Sequence, residues 1–407
     1  MARRVGWVAA AVVASVWLVW APAAAAPLLG RADPSAGPTL SGREVIWAEV
    51  RSAPATGPAF PEDRRSVLIR AAGRARVVRL LPRALAPPRS YVPEEVPAAV
   101  VTSLTHVAVL RQLTTCYAVP FTVCGFNDVD VVAGPIHGRL RVLRTRYRGC
   151  GRLPLQPASF ALAGDRLVFS DATETCNPSL GPARVAVLRL DAAARPIVLA
   201  RTERPVDVRA AGRLVAWVPL RAPSARVVVY DLSARRVMYR VRLPRGLVVH
   251  AWDLQADGKV AVALGPDRYV GVAPRVFLAT PRRRRPRPLG LRIVTTRCED
   301  AGLVFRLARD RLLVLRPTAR SAADRELALV RLSGGARRIA RFSARLRQRG
   351  EAAFDGRRVA WARQRVEDYT PPCPPPPSHG LPPPAVAAQC GGDPLGPTDI
   401  LVRRVAR

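Results

Sequence analysis

The sequence predicts an all-β protein whose chain is divided into repeated units of about four short strands. One pattern recurs along it: an apolar segment, a turn with Gly or Asp, a basic residue, and an apolar strand that often ends in Trp. A second strand-rich segment with a polar turn follows the copies, and no stretch keeps a 3.6-residue helical period over three turns. Hydrophobic residues make up 49% of the 407 residues, which is enough for a large core.

The recurring pattern occurs seven times, clearest in 40–47, 210–217 and 354–361. The first apolar residues after its turns are Val45, Val107, Leu167, Val215, Val260, Leu312 and Val359. These positions lie 45 to 62 residues apart. Four strands per unit of this length are typical of a propeller blade, which cannot bury both its faces unless blades stack around an axis. We therefore expect a seven-bladed β-propeller of four-stranded antiparallel blades over 39–407, with six or eight blades as alternatives.

This arrangement predicts where the tryptophans lie and which strands complete the last blade. Large aromatic residues at the ends of apolar strands are expected in the core between blades, and they are Trp47, Trp217, Trp252 and Trp361. The segment 399–407 is predicted to be the third strand of the last blade. Its fourth strand has to come from residues 27–38, whose Gly and Pro content predicts loose pairing or a three-stranded last blade.

Two phrases in these repeats resemble known families. Gly-Arg-Leu-Val-Ala-Trp at 212–217 and Val-Tyr-Asp-Leu-Ser at 229–233 are similar to sequences of TolB-like and WD40-like propellers. The heavy use of Arg, Ala and Pro resembles that of secreted actinobacterial proteins. The resemblance implies the architecture and a role in binding other macromolecules, without a defined substrate.

The amino terminus has the order of a secretory signal peptide. The basic pair Arg3-Arg4 precedes an uncharged apolar run at 5–20, and an Ala-rich segment offers cleavage sites up to residue 25. We expect a signal peptide at 1–25 and a linker at 26–38, with an uncleaved anchor as the alternative. The protein is thus predicted to be extracytoplasmic, either free or associated with the cell envelope, with no transmembrane span in the mature chain.

Charge is the strongest compositional feature. Lys and Arg together number 65 against 30 acidic residues, a net charge of +35, and Lys259 is the only lysine. Most arginines are spread along the chain, which argues against a specific nucleic-acid site. The one dense run lies at 281–288, and it favours either a solvated loop or contact with an anionic envelope polymer or a protein.

Seven cysteines are expected to be oxidised in an exported protein. The repeat map pairs Cys116 with Cys124, and Cys373 with Cys390, each pair inside a long turn between the second and third strands of a blade. Cys150 and Cys176 form the remaining pair, and Cys298 is left over, either as a free thiol or in place of one of these partners. The spacings are not those of a zinc site, so neither a metal nor a cofactor is predicted.

Catalytic patterns are absent from the sequence, which contains no phosphate-binding loop, nucleophile elbow or metalloprotease motif. His250 and Asp253 are weak acid–base candidates near an innermost strand. Other polar residues expected there are Asp207, Arg209, Glu299, Asp300 and Glu351. An acidic patch or, alternatively, salt bridges to arginines are expected for Asp128, Asp130 and Glu174. The sequence favours a non-enzymatic binding scaffold, and the alternative is an extracellular hydrolase or lyase with its site at the channel mouth.

Overall fold

The computed structural model describes fifteen segments of the chain, and they contain strands, turns and loops but no helix. The described residues are 28–32, 34–54, 62–86, 90–118, 122–146, 160–172, 182–191, 195–204, 206–219, 226–266, 274–293, 304–318, 325–342, 346–366 and 395–405. The signal peptide predicted at 1–25 lies outside them.

The described strands fall into seven groups of four, which we number in chain order. Groups one and two contain β2 (Pro34–Ser41), β3 (Glu44–Pro54), β4 (Glu62–Ala72), β5 (Ala75–Leu80), and β6 (Ser90–Thr102), β7 (His106–Ala118), β8 (Thr122–Pro135), β9 (Arg141–Arg146). Groups three and four contain β10 (Phe160–Ala163), β11 (Arg166–Ala172), β12 (Ala183–Arg189), β13 (Ile197–Thr202), and β14 (Val206–Ala211), β15 (Leu214–Pro219), β16 (Arg226–Asp231), β17 (Arg236–Arg242).

The remaining groups follow the same plan. Groups five and six contain β18 (Val248–Leu254), β19 (Val260–Gly265), β20 (Arg275–Ala279), β21 (Arg287–Arg292), and β22 (Phe305–Ala308), β23 (Arg311–Pro317), β24 (Arg325–Arg331), β25 (Ala336–Phe342). Group seven contains β26 (Leu346–Phe354), β27 (Arg358–Val366), β28 (Leu395–Arg404) and, from the start of the chain, β1 (Leu28–Ala32). Consecutive strands within each group pair antiparallel, and one parallel bridge, Arg64 to Glu94, joins groups one and two.

The repeat positions identified in the sequence all lie in second strands and are all buried. A second strand packs against neighbouring groups on both of its faces. Its sequence is therefore nearly all apolar, without the alternation of a half-exposed strand. In β19, for example, Val260, Val262 and Leu264 pack toward group four, whereas Ala261 and Ala263 pack toward group six. The alternation of side chains along a strand therefore supplies both interfaces from one short segment.

The groups close on themselves. The described residues form seven buried apolar clusters, each made by two neighbouring groups, and one of them joins group seven to group one. The first strands contact each other in the same cyclic order, from β2 through β26 and back to β2. All four tryptophans predicted for the core are buried in these clusters. The structure confirms the all-β propeller class, and the cyclic contacts support seven blades over six or eight.

The segment expected to be a linker, 26–38, contains β1 and most of β2. β1 pairs antiparallel with β28, from Leu28 opposite Leu401 to Ala32 opposite Thr398, with a bulge between Leu28 and Gly30. It is an edge strand, and only one side of such a strand takes part in the ladder, so Gly and nearby Pro are tolerated. The N-terminal strand therefore supplies the fourth strand of group seven.

Cys116 and Cys124 lie in strands rather than in a turn. β7 and β8 extend well beyond the repeat core, and Cys116 stands directly opposite Cys124 in their ladder. Cys116 is buried and disulfide-bonded. The pairing of these two cysteines stays a prediction, as do the other two pairs, since Cys150, Cys176, Cys298, Cys373 and Cys390 fall outside the described residues.

A buried ionic network joins groups one and two, and no local sequence pattern predicts it. Arg111 on β7 is fully buried, and its Nε and one terminal nitrogen donate to the two carboxylate oxygens of Asp130 at 2.7 and 2.5 Å. Its other terminal nitrogen donates to Glu95 at 2.8 Å, and Arg65 of β4 donates to the same carboxylate at 3.3 Å. Burial raises the pKa of Asp130, while the hydrogen bonds from Arg111 act against that rise. The charges thus stabilise one another in a setting that excludes water.

We expect the substitution Arg111→Met to lower the free energy of unfolding by about 3–5 kcal/mol, since it leaves two buried carboxylates without their shared partner. Urea denaturation followed by tryptophan fluorescence measures the change. The double variant R111M/D130N removes one of the orphaned charges and should regain more than half of the loss. A double variant as unstable as the single one would contradict this account.

Two turns between first and second strands, β22–β23 of group six and β26–β27 of group seven, contact each other. Arg309 adopts a left-handed backbone conformation with φ of 50°, and its side chain lies over Gly356 of the next group. A Cβ on Gly356 would lie 2.5 Å from Cδ of Arg309, and the φ of this glycine is +86°. Both the contact and the backbone conformation therefore require glycine at position 356.

Gly356→Ala should destabilise the protein by more than the roughly 1–2 kcal/mol that a left-handed alanine costs. Gly73→Ala is the matched control, because Gly73 also has a left-handed φ, +61°, but nothing lies within 4 Å of the position that a Cβ would take there. Thermal unfolding of both variants separates the two contributions. Equal destabilisation would show that the Arg309 contact adds nothing to the effect.

Candidate functional site

The first strands of groups four, five and six bring several predicted polar residues together. Asp207 of β14 accepts a hydrogen bond from the indole nitrogen of Trp252 at 2.8 Å and another from Arg209 at 2.8 Å. The guanidinium carbon of Arg209 lies 5.6 Å from the centre of the Trp252 ring. A carboxylate, a cation and an aromatic face thus connect group four to group five.

Asp253 extends this arrangement to group six. Its Oδ2 accepts the backbone N–H of Leu307 on β22 at 2.7 Å. Burial raises the pKa of Asp253, and the positive charges of Arg306 and Arg209 act in the opposite direction. The carboxylate of Asp253 thus links group five to the backbone of group six, and this contact gives Asp253 a structural role.

His250 contacts a different segment. Its position is the extra residue of a bulge in β18, since Val249 pairs with Leu264 and Ala251 with Ala263. The half-buried ring donates through Nε2 to the carbonyl oxygen of Pro266 at 3.1 Å. His250 and Asp253 therefore contact the β19 end and the β22 backbone respectively, and an acid–base role for the two stays a prediction.

Replacing Asp253 by alanine should cost about 1–3 kcal/mol of stability, because the N–H of Leu307 loses its acceptor in a buried setting. Asp253→Asn keeps an acceptor oxygen for this N–H, and burial already disfavours the charge, so this variant should lose clearly less stability than the alanine variant. Denaturant titration distinguishes the two. If the asparagine variant is as unstable as the alanine variant, the charge of Asp253 matters more than its hydrogen bond.

The remaining acidic candidates divide into two classes. Asp130 is held by Arg111, as the salt-bridge alternative predicted. The side chains of Asp128 and Glu351 lie outside the described residues, and so do Glu174, Glu299 and Asp300 entirely.

The described residues contain no group of three or more His, Cys, Asp and Glu side chains suited to a metal ion. The part of the chain that is described also has no helix of the length and hydrophobicity needed to span a membrane.

The dense arginine run forms an exposed turn between β20 and β21. Thr280 and Arg283 exchange two backbone hydrogen bonds of 3.0 Å, which closes the turn. Arg282, Arg283, Arg284 and Arg285 are all exposed, and none of them forms an ion pair with a described carboxylate. The turn therefore presents four adjacent guanidinium groups to solvent.

Arginine is also frequent on the outermost strands. Exposed arginines occur on the fourth strands of groups one to six, and they are Arg76, Arg141, Arg201, Arg236, Arg240, Arg242, Arg287, Arg292, Arg337, Arg338 and Arg341. Charges on an exposed strand edge oppose pairing with another chain. The same charges give the outer surface a positive potential that attracts polyanions.

The sequence matches no protein-family model and no curated protein. Among solved structures, the chain is similar to the β-propeller domain of the Trilobed protease from Pyrococcus furiosus, with 9% identity and a TM-score of 0.49 over 83% of this chain and 90% of that one. It is also similar to the Pyrococcus horikoshii acylaminoacyl peptidase, with 9% identity and a TM-score of 0.48 over 82% of this chain and 49% of that one. A structure of prolyl endopeptidases matches with 11% identity and a TM-score of 0.41, over 82% of this chain and 54% of that one. The chain thus spans about half the length of these two kinds of peptidase. Similarity at this level carries no assignment of activity.

Proposed function

We propose that this protein is a secreted, non-enzymatic β-propeller that binds an anionic polymer of the cell envelope. The observation that carries the proposal is the exposed run Arg282–Arg285, where four guanidinium groups without a described acidic partner stand side by side. Guanidinium groups bind phosphate and carboxylate groups through paired hydrogen bonds. Binding a polyanion also releases its condensed counterions, which adds a favourable entropy.

The location and family type belong to the same proposal. The basic, apolar and Ala-rich order of residues 1–25 supports export, and the cysteine content fits an oxidising compartment. The phrases at 212–217 and 229–233 support a TolB-like or WD40-like propeller of actinobacterial type. In that compartment, envelope polymers are the abundant polyanions, and nucleic acid is scarce.

A hydrolase or lyase with a site near the first strands is the second candidate. The observation in its favour is Asp253, a carboxyl whose pKa is raised by burial next to Arg306 and Arg209. A general acid needs such a shift. Against it, the carboxylate accepts the N–H of Leu307, and His250 donates to Pro266, so both side chains already have structural partners.

A charge-removal variant tests the binding proposal. The whole chain should bind long-chain inorganic polyphosphate in 50 mM salt, and the variant R282Q/R283Q/R284Q/R285Q should bind it at least tenfold more weakly. The slope of log K against log salt should become shallower by about 3, from roughly 0.7 for each phosphate of a single-stranded polyanion that the variant no longer binds. Fluorescence anisotropy of labelled polymer at several salt concentrations measures both quantities.

The matched control removes four exposed arginines elsewhere, and they are Arg240, Arg242, Arg337 and Arg338. Its net charge equals that of the test variant, so general attraction falls equally in both. Equal binding by both variants would contradict a site at the β20–β21 turn. Absence of polyphosphate binding by the wild-type chain would overturn the proposed function.

A further inference from the structure

The β20–β21 turn has a neighbour of the same charge on group four. Gly258, in the β18–β19 turn, lies between them: a Cβ there would be 3.0 Å from Cγ of Pro281 and 3.7 Å from Cε of Met238. The hydroxyl of Tyr239 also donates to the carbonyl oxygen of Gly258. The start of β17 and the start of the arginine run therefore flank one glycine.

Two arginines stand at this end of β17. Arg235 ends the β16–β17 turn and Arg236 begins β17, immediately before Val237 and Met238, and both arginines are exposed. Arg235 adopts a left-handed φ of 51°, so its backbone is held in a conformation that a non-glycine residue rarely adopts. Neither side chain forms an ion pair with a described carboxylate. We name Arg235, Arg236 and Arg282–Arg285 the basic strip.

The carboxylates near the basic strip are already matched by other cations. Asp231 accepts the backbone N–H groups of Ser233 and Ala234 and lies 3.1 Å from Arg213. Lys259 lies 2.8 Å from Asp257 and 2.7 Å from Asp310. The positive charge of Arg236 also acts on Asp231, so this acid offsets part of the charge of the strip. The strip contains six arginines, and it therefore keeps a net attraction for anions.

The floor between the two halves of the strip is partly apolar. Met238 is 39% exposed and Pro281 is half-buried, and both lie next to Gly258. A thioether and a proline ring offer contact to the apolar linkers of a polymer, whereas the arginines on each side contact its charged groups. The arrangement is suited to a chain in which charged groups alternate with short apolar linkers.

We propose that the basic strip is a single binding site, formed by groups four and five together, for a linear phosphodiester polymer. The inference rests on the proposed function and adds to it the boundaries of the site and the chemistry of the ligand. Each phosphate has two or more oxygens that a guanidinium group can bind in pairs, and successive phosphates reach successive arginines. The two turns act together because one polymer chain bridges them, which raises the effective concentration at the second turn.

The decisive variant is R235Q/R236Q, which leaves the dense run intact. Long-chain polyphosphate should bind it three- to tenfold more weakly than wild type in 50 mM salt, with a salt slope shallower by about 1.4. Tripolyphosphate has three phosphates for the six arginines of the strip, so the dense run alone can hold it, and it should bind wild type and variant within twofold of each other. Thermal unfolding of each variant verifies that these exposed substitutions leave the fold intact.

The control is R240Q/R242Q, which removes the same charge from the same strand, away from the turn. Its affinity for long-chain polyphosphate should stay within twofold of wild type. If R235Q/R236Q behaves like this control while R282Q/R283Q/R284Q/R285Q loses binding, the site is a single turn: the two-group inference is overturned and the proposed function stands. If R240Q/R242Q weakens binding as much as R235Q/R236Q, the attraction is diffuse and the inference is also overturned. If the wild-type chain does not bind polyphosphate, the proposed function itself fails.

Discussion

Every sheet in this protein has two apolar faces, and the rest of the structure depends on burying both of them. A four-stranded sheet cannot do so alone, and a row of sheets would leave its two end faces exposed. The seven apolar clusters remove this problem, because each is shared by two neighbouring groups and the last joins group seven to group one. The pairing of β1 with β28 then places both ends of the described chain in one sheet.

This constraint determines where polar groups are found. Inside the ring, carboxylates and arginines act as connections between groups, as in the contact of Asp253 with the N–H of Leu307 and the network around Arg111. Such buried charges add specificity to the packing, and breaking one partner of a pair is costly. Unpaired charge is found instead on turns and outer strands, where water solvates it and where a large ligand has access.

The same division separates the two functional hypotheses. Polar residues on first strands have structural partners: Asp253 accepts an N–H of neighbouring group six, and His250 donates to Pro266 at the end of β19 in its own group. The arginines of the β20–β21 turn have no such partners among the described residues, and they form the most concentrated charge of the described chain. The proposed binding role therefore depends on these surface arginines, whereas the proposed catalytic role depends on residues that already have structural partners.

The sequence by itself determined the repeating strand pattern, the buried second strands and the exposed arginine run. These features depend on local periodicity and composition, which are visible in a single chain: the apolar run 214–218 indicates a strand buried on both faces wherever its neighbours lie. The tertiary structure alone decided which distant residues meet. It made a strand of Leu28–Ala32, placed Cys116 in a ladder rather than a turn, and gathered Arg65, Glu95, Arg111 and Asp130 into one network. It also brought Met238 of β17 and Pro281, which precedes the dense run, next to the same glycine, Gly258. The physical reason is that an edge strand, an ion pair or a shared surface draws its stability from a partner far away in the chain, and local sequence carries no record of that partner.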